Sequence, residues 1–107
     1  MSAGEIVVLV VAGSVDDAAR IGRTLVEERL AACANVVPEV RSIYRWKGEI
    51  ADEREALLLL KTRRALFVEI ERRIRELHPY DTPEVVALEI AAGSERYLSW
   101  VRAETSR

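Results

Sequence analysis

The order of apolar and amphipathic segments along these 107 residues predicts an α+β fold built on one antiparallel sheet. Four β-branched or leucine-rich runs fit strands, two segments with helical spacing lie between them, and a short helical pattern closes the chain. The order is strand, helix, strand, strand, helix, strand and tail helix, which is that of the ferredoxin-like split βαβ arrangement. There the first and third strands lie in the middle of the sheet, and both main helices cover one face.

The first half of the chain predicts a strand, a capped helix and a long second strand. Glu5–Ala12 is a continuous apolar run, which favours a buried strand. Ser14 stands three residues before Asp17, a capping-box-like start for the helix that follows. Cys33–Lys47 fits the second strand, and Pro38 within it predicts a bend, a bulge or an edge position.

The second half predicts a hairpin, a second helix and a last strand. Lys47–Glu53 is polar and contains glycine, so we expect a turn there, followed by a third strand over Glu55–Lys61. Thr62 is a plausible cap for a helix that runs to about Leu77. Glu84–Ala91 then fits the fourth strand.

Composition indicates one globular domain over residues 1–107. Half of the residues are apolar and about a third are charged. The longest apolar run is too short to cross a bilayer, and the first residues lack the basic segment of a signal peptide, so we expect a cytoplasmic protein with no membrane partner. A net charge of −2 argues against broad nucleic-acid binding. A single cysteine, Cys33, excludes an intrachain disulfide.

The two central strands predict a self-associating protein. Neither the run that begins at Ile6 nor the leucine run over residues 56–60 alternates between apolar and polar residues. A sheet with helices on one face only should alternate, with polar residues on the wet side. Since the tail helix is short, we expect other copies of this chain to bury the second face.

The segment Glu76–Glu84 holds the only histidine and two of the three prolines. Pro79 cannot continue a helix and drives His78 into extended backbone, so the sequence predicts a rigid polar turn. Two interpretations of His78 stay open: a loop residue that packs its ring on Tyr80, or a metal ligand beside the carbonyl end of a helix. A zinc site would need at least three protein ligands, which must come from distant residues or another subunit.

Two further residues carry alternative interpretations. Cys33 is either a small buried apolar residue or a soft ligand for copper(I) or zinc. A hydrolase that pairs Cys33 with His78 ranks far lower, because no activating environment is evident. Lys61 either extends into solvent at a strand end or, beside the predicted helix start, forms a pocket for an anion.

Aromatic and acidic residues complete the set of candidates. Tyr44 and Trp46 share one strand face beside Arg45, a composition common at interface centres. The candidate hard ligands are carboxylates, namely Glu84, Asp81, Glu49, Asp52 and Glu53. Phosphate-binding glycine loops, paired cysteines and serine-nucleophile motifs are absent from the sequence.

Four segments together resemble the CutA divalent-cation tolerance proteins. They are ERLAACAN at residues 28–35, SIYRW at 42–46, LLLKT at 58–62, and ELHPY with TPE at 76–84. The resemblance covers essentially the whole chain. It implies a ferredoxin-like subunit in a homotrimer whose subunits are held together by long hairpins. It also implies clefts between subunits comparable to those of PII signalling proteins.

The resemblance also implies a function and a set of site residues. Family members are associated with tolerance of copper and other divalent metals, and animal relatives with acetylcholinesterase anchoring. We therefore expect a binding protein and not an enzyme, with copper or another divalent ion as ligand. The expected metal ligands are His78, Glu84 and Cys33. The cleft would be lined by Lys61, Tyr44, Trp46 and Tyr80. The alternative is a PII-like signalling or adaptor trimer that binds a small anionic metabolite.

Overall fold

The computed structural model describes residues 4–106, whose strands form one antiparallel sheet in the order β2-β3-β1-β4. The elements are β1 (Glu5–Ala12), α1 (Val15–Glu27), β2 (Cys33–Trp46), β3 (Glu49–Arg63), a 3-10 turn (Arg64–Leu66), α2 (Phe67–Leu77), β4 (Val85–Glu89) and α3 (Glu95–Glu104). The predicted ferredoxin-like fold, with β1 and β3 central, is confirmed.

The core lies between one face of the sheet and the first two helices. Ile6, Val8 and Val10 of β1 are buried on this face, and Ile21 of α1 and Ile70 of α2 pack against the same cluster. Ser14 caps α1 as predicted, because its Oγ accepts a hydrogen bond from the Asp17 amide at 3.0 Å. No helix within residues 4–106 is long and apolar enough to cross a membrane.

The opposite face of the sheet is only partly covered. Thr62 faces the helices, since its hydroxyl bonds the Leu30 carbonyl, so the neighbouring Arg63 points to this second face. Arg63 there bonds Thr105 at the end of α3, which places the tail helix across one end of the face. Further along, Leu9 pairs with Val86 and Val7 with Leu88. Val86 and Leu88 are about half exposed, so an apolar strip remains open.

The hairpin between β2 and β3 is longer and tighter than predicted. The expected turn over Lys47–Glu53 is wrong, because Trp46 pairs directly with Glu49 and only two residues connect the strands. Lys47 and Gly48 both have positive φ, 52° and 82°, the geometry of a type I′ turn. The polar residues after Gly48 therefore belong to β3. The predicted irregularity at Pro38 is confirmed, since the register shifts between Val37 and Val40.

The predicted start of the second helix at Thr62 is also wrong. Thr62 is buried in β3, pairs with Ile6 and donates its hydroxyl to the Leu30 carbonyl at 2.6 Å. This bond satisfies the threonine inside the sheet, so it is not a cap. The strand continues to Arg63, and α2 begins at Phe67 after one 3-10 turn. β4 is shorter than predicted and spans Val85–Glu89.

Candidate functional site

A cleft of about 780 Å³ lies between the β2–β3 hairpin and the loop that follows α2. Six candidates named from the sequence line it: Tyr44, Trp46, Tyr80, Glu84, Glu53 and Asp81. The alternation of side chains along β2 directs Tyr44 and Trp46 to the same face. Pro79 turns the chain back towards that face, because His78 ends α2 with extended backbone angles (φ −87°, ψ 135°).

Two tyrosine–carboxylate pairs organise the cleft. The Tyr44 hydroxyl donates to Glu53 at 2.5 Å, and the Tyr80 hydroxyl donates to Glu55 at 2.8 Å. The bond to Glu53, together with burial, raises the pKa of Tyr44 to about 12. Burial and then the bond to Glu55 raise the pKa of Tyr80 well above its usual value. Both hydroxyls are therefore protonated donors at neutral pH.

The cleft is acidic. Glu53, Glu55, Asp81 and Glu84 line it, and its lining residues include no lysine or arginine. The ion pairs of the hairpin, Arg41 with Asp52 and Arg54 with Glu39, involve none of these four carboxylates. Asp52 is bound by Arg41, which lowers the pKa of its carboxyl group. The charge in the cleft is thus negative and favours a cation.

His78 lies beneath the cleft and holds its loop in place. It is 6% exposed, and its Nε2 lies 2.7 Å from the Val11 carbonyl oxygen. Its Nδ1 accepts a hydrogen bond from the Tyr80 amide at 3.1 Å, so Nε2 carries the proton and donates. The ring also packs on Tyr80, with 4.6 Å between centroids, as one of the two sequence interpretations predicted. Both ring nitrogens are occupied, and a metal on His78 must displace one of these bonds.

Cys33 and Lys61 lie at the other end of the sheet. They pair across β2 and β3, and both bond Asn35 Oδ1, the lysine through its ammonium group and the cysteine over 3.7 Å. The Cys33 sulfur also lies 3.5 Å from the Tyr97 hydroxyl. The bond to Cys33 and then burial raise the pKa of Tyr97 to about 12. Lys61 lies inside β3 and α2 begins only at Phe67, so Lys61 is not beside the helix start from which an anion pocket was predicted.

The register of β1 separates Cys33 from His78. Lys61, the partner of Cys33, pairs with Val7, whereas His78 bonds Val11. Four residues of strand, or about 13 Å, lie between these two positions. One chain therefore brings no cysteine–histidine pair together for a hydrolase. Within residues 4–106 the structure likewise has no cluster of three histidine, cysteine, aspartate or glutamate side chains suited to a metal ion.

Two residues that make these side-chain contacts were not predicted from the sequence. Glu55 was assigned only to the start of an apolar strand, yet it is 6% exposed and bonds Tyr80. Tyr97, within the predicted tail helix, was not among the candidates, yet it contacts Cys33. A signal for Glu55 existed: it stands two residues after Glu53, so the two carboxylates share one strand face. The contact of Tyr97 depends on where α3 docks, and no sequence pattern fixes that.

Known proteins of similar sequence and fold place the chain in a family. Residues 6–104 match the profile of the CutA1 divalent ion tolerance protein. The divalent-cation tolerance protein CutA of Thermus thermophilus is 50% identical over 101 residues, which cover 94% of this chain and 98% of that protein. The human protein CutA is 44% identical over 88 residues, covering 82% of this chain and 49% of that protein.

Solved structures agree with the sequence comparisons. The divalent cation tolerance protein from Thermus thermophilus superposes with a TM-score of 0.92 at 50% identity, covering 95% of this chain and 99% of that one. CutA1 from Oryza sativa superposes with a TM-score of 0.94 at 36% identity, covering 98% and 96%. The chain belongs to the CutA1 divalent ion tolerance protein family.

Proposed function

We propose that this protein binds divalent cations, copper among them, as a homotrimer, and that the cleft carboxylates are the principal ligands. The observation that carries the proposal is the cleft itself, where Glu53, Glu55 and Glu84 face a space without lysine or arginine in its lining. The family name supports a role in divalent-cation tolerance. The role is binding and not catalysis, and we expect the protein to be cytoplasmic.

Coordination in the cleft is incomplete within one chain. The described residues offer no cluster of three suitable donors, so water or a second copy must supply the remaining ligands. Carboxylate oxygens suit hard ions, whereas copper also accepts imidazole and thiolate. His78 could join only by giving up the bond to Val11 or to Tyr80. Cys33 would form a separate soft site at the other end of the sheet.

The open apolar strip supports the trimer. Val86 and Leu88 remain about half exposed beside the central strand β1, and α3 covers only one end of that face. Apolar surface of this kind on a small domain usually marks a protein interface. The subunit is elongated, 44 Å against 26 and 23 Å, as expected for a chain whose long hairpin contacts neighbouring copies.

Copper titration by calorimetry tests the assignment of ligands. We expect Glu55→Gln and Glu84→Gln each to weaken copper binding about tenfold, or about 1.4 kcal/mol, because each removes a charged donor. Glu39→Gln, an exposed carboxylate on the same hairpin, is the matched control. His78→Ala should weaken binding less, through movement of Tyr80, without changing the mass of the trimer. If Cys33→Ser abolishes binding and both cleft variants leave it intact, the cleft is not the metal site.

The structure removes one ground for the anionic-metabolite alternative. Lys61 was expected beside a helix start, but it lies within β3 with its ammonium group bonded to Asn35. The cleft carries carboxylates that would repel an anion.

A further inference from the structure

A thiol and an amine face each other across strands β2 and β3. Cys33 and Lys61 are direct partners in the register, and both are partly buried. Side chains at opposed positions have Cβ atoms about 4.5–5.5 Å apart, so the flexible lysine can reach the sulfur. The chain has one cysteine and two lysines, and the second lysine, Lys47, lies in the turn at the hairpin tip. The single thiol is therefore opposed by one particular lysine.

Asn35 contacts both reactive groups. Its Oδ1 accepts a hydrogen bond from the Lys61 ammonium group, and the Cys33 sulfur lies 3.7 Å from the same oxygen. On the other side, the Tyr97 hydroxyl of α3 lies 3.5 Å from the sulfur. Because two strands and one shared acceptor hold the groups together, the amine is present at the sulfur at a high effective concentration.

A small reagent can reach the sulfur from the edge of the sheet. β2 is an edge strand, and Cys33 lines a groove of about 630 Å³ between α1 and β2. The groove is bounded by Ala19, Gly22 and Val26 of α1. It is thus separate from the open strip on the opposite face, which other copies are expected to cover.

Oxidation of this sulfur cannot end in a disulfide within the chain, because Cys33 is the only cysteine. Hydrogen peroxide converts a thiol to a sulfenic acid and water, so that the sulfur loses two electrons and the peroxide gains them. A sulfenic acid then condenses with a thiol or with a nitrogen, or is oxidised further and irreversibly. Lys61 offers a nitrogen beside the sulfur.

We propose that Cys33 and Lys61 form a reversible sulfenamide cross-link when the protein meets hydrogen peroxide. The Lys61 ammonium group loses a proton to water, and its amine attacks the sulfur of the sulfenic acid. The S–N bond forms as the S–O bond breaks, and the departing hydroxide takes a second proton from the nitrogen and leaves as water. Two molecules of a thiol reverse the reaction, because they release the free cysteine and lysine and become a disulfide.

The cross-link would act as a redox switch on the soft site. It engages the sulfur and removes the positive charge of Lys61, so Cys33 would no longer offer a thiolate to copper. It also stops the sulfur from advancing to irreversibly oxidised forms. The acidic cleft takes no part in this chemistry, so the inference stands or falls separately from the proposed cleft site.

Mass spectrometry of tryptic peptides tests the proposal on the wild-type protein, before and after hydrogen peroxide and without reducing agent. Cleavage after arginine should leave the peptide 30–41 joined to the peptide 55–63, with two hydrogens fewer than their sum. Neither peptide contains methionine or tryptophan, so oxidation of those residues does not obscure the result. Dithiothreitol should separate the two peptides and restore the reduced cysteine.

Two lysine variants locate the nitrogen. Lys61→Arg keeps the positive charge but replaces the amine with a guanidinium group that is a poor nucleophile, so the cross-link should be lost. Cys33 in this variant should gain two or three oxygen atoms instead. Lys47→Arg at the hairpin tip is the matched control, and it should form the cross-link to the same extent as the wild type.

Four results would overturn the proposal. A main wild-type product that retains added oxygen would show that Lys61 does not capture the sulfenic acid. A disulfide between two copies would show that another thiol is the preferred partner. Loss of two hydrogens in Lys61→Arg would place the S–N bond on a different nitrogen. If Cys33 reacts only after the protein is unfolded in guanidinium, the sulfur is closed to peroxide.

Discussion

At the scale of single residues, each tyrosine hydroxyl of this chain contacts a polar atom of another side chain. The chain has three tyrosines, and their partners are Glu53, Glu55 and Cys33. These contacts and partial burial raise the pKa of Tyr44 and of Tyr97 to about 12, and that of Tyr80 well above its usual value. Loss of the phenolic proton would place negative charge beside a carboxylate in two of the three cases.

The alkaline titration of the folded protein should therefore be delayed. The folded state holds each phenolic proton more tightly than the unfolded chain, whose tyrosines have a pKa of about 10. Stability from these contacts is complete below about pH 10 and falls as the pH rises towards 12. Tyrosinate absorbance should stay near baseline at pH 10 in the folded protein, and should reach about half of its final value in guanidinium.

A variant assigns the effect to one pair. Glu53→Ala removes both the acceptor and the charge beside Tyr44, so one tyrosine should titrate close to about 10. Glu39→Ala on the same hairpin should leave the curve unchanged. Titration of all three tyrosines near 10 in the folded wild type would contradict the hydrogen bonds described here.

Residue identities predicted the cleft only in part. Tyr44, Trp46 and Tyr80 were found because aromatic residues stand out at period two on a strand and after a His-Pro turn. Glu55 was not found, since a carboxylate at the start of a leucine run resembles a solvated strand end. The separation of Cys33 from His78 depends on strand register, which one sequence does not reveal.

At the scale of elements, helix α1 and the sheet meet at a very close approach. A Cβ built on Gly22 would lie 2.8 Å from the Ala34 Cβ and 3.0 Å from Leu58 Cδ1. Both neighbours belong to β2 and β3, and Leu58 is fully buried. Glycine at this position lets the helix backbone pack directly on the strands.

Gly22→Ala should lower the free energy of unfolding by about 1–2 kcal/mol. Alanine gains about 1 kcal/mol in helix propensity, but the added methyl group forces α1 away from a packed core at a greater cost. Denaturation in urea measures the difference. Arg23→Ala, an exposed position on the same helix, should change the stability by less than about 0.5 kcal/mol. Stabilisation by Gly22→Ala would contradict the contact.

Element types were predictable where the pattern was local. Apolar runs fixed β1 and β4, Ser14 fixed the start of α1, and Pro38 fixed the irregularity of β2. Predictions failed where a tertiary contact determined the local structure. Thr62 has the composition of a cap, but the Leu30 carbonyl receives its hydroxyl. The two-residue turn was missed because Lys47 takes a positive φ, which lysine rarely does.

At the scale of the whole molecule, the two faces of the sheet are covered to different extents. One face is buried beneath α1 and α2, and the other is covered by α3 only at one end. The open strip with Val86 and Leu88 lies beside the central strand, so a second chain that packs there would also cover β1. The sequence predicted this asymmetry from the uninterrupted apolar strands.

We expect the proposed trimer to depend on that strip. Light scattering on the wild type should give three chains of 12.0 kDa, or about 36 kDa. Leu88→Glu places a charge on the strip and should shift the mass towards a single chain, since an unpaired charge is not buried at an apolar contact. Val68 is also apolar, but it is 78% exposed on α2, so the Val68→Glu variant should remain a trimer. A single-chain mass for the wild type would refute the shared-face account.

The tight connection at Lys47–Gly48 also sets a rule for how the hairpin can change length. Side chains on each strand point alternately to opposite sides, so inserting one residue between Tyr44 and Trp46 would turn Trp46 to the side opposite Tyr44. Adding two residues to each strand would instead keep Tyr44 and Trp46 on the same side and move the connecting turn outwards by about 7 Å. Natural or engineered relatives should therefore differ in hairpin length by an even number of residues on each strand. The rings of Tyr44 and Trp46 should stay on the same side at every length.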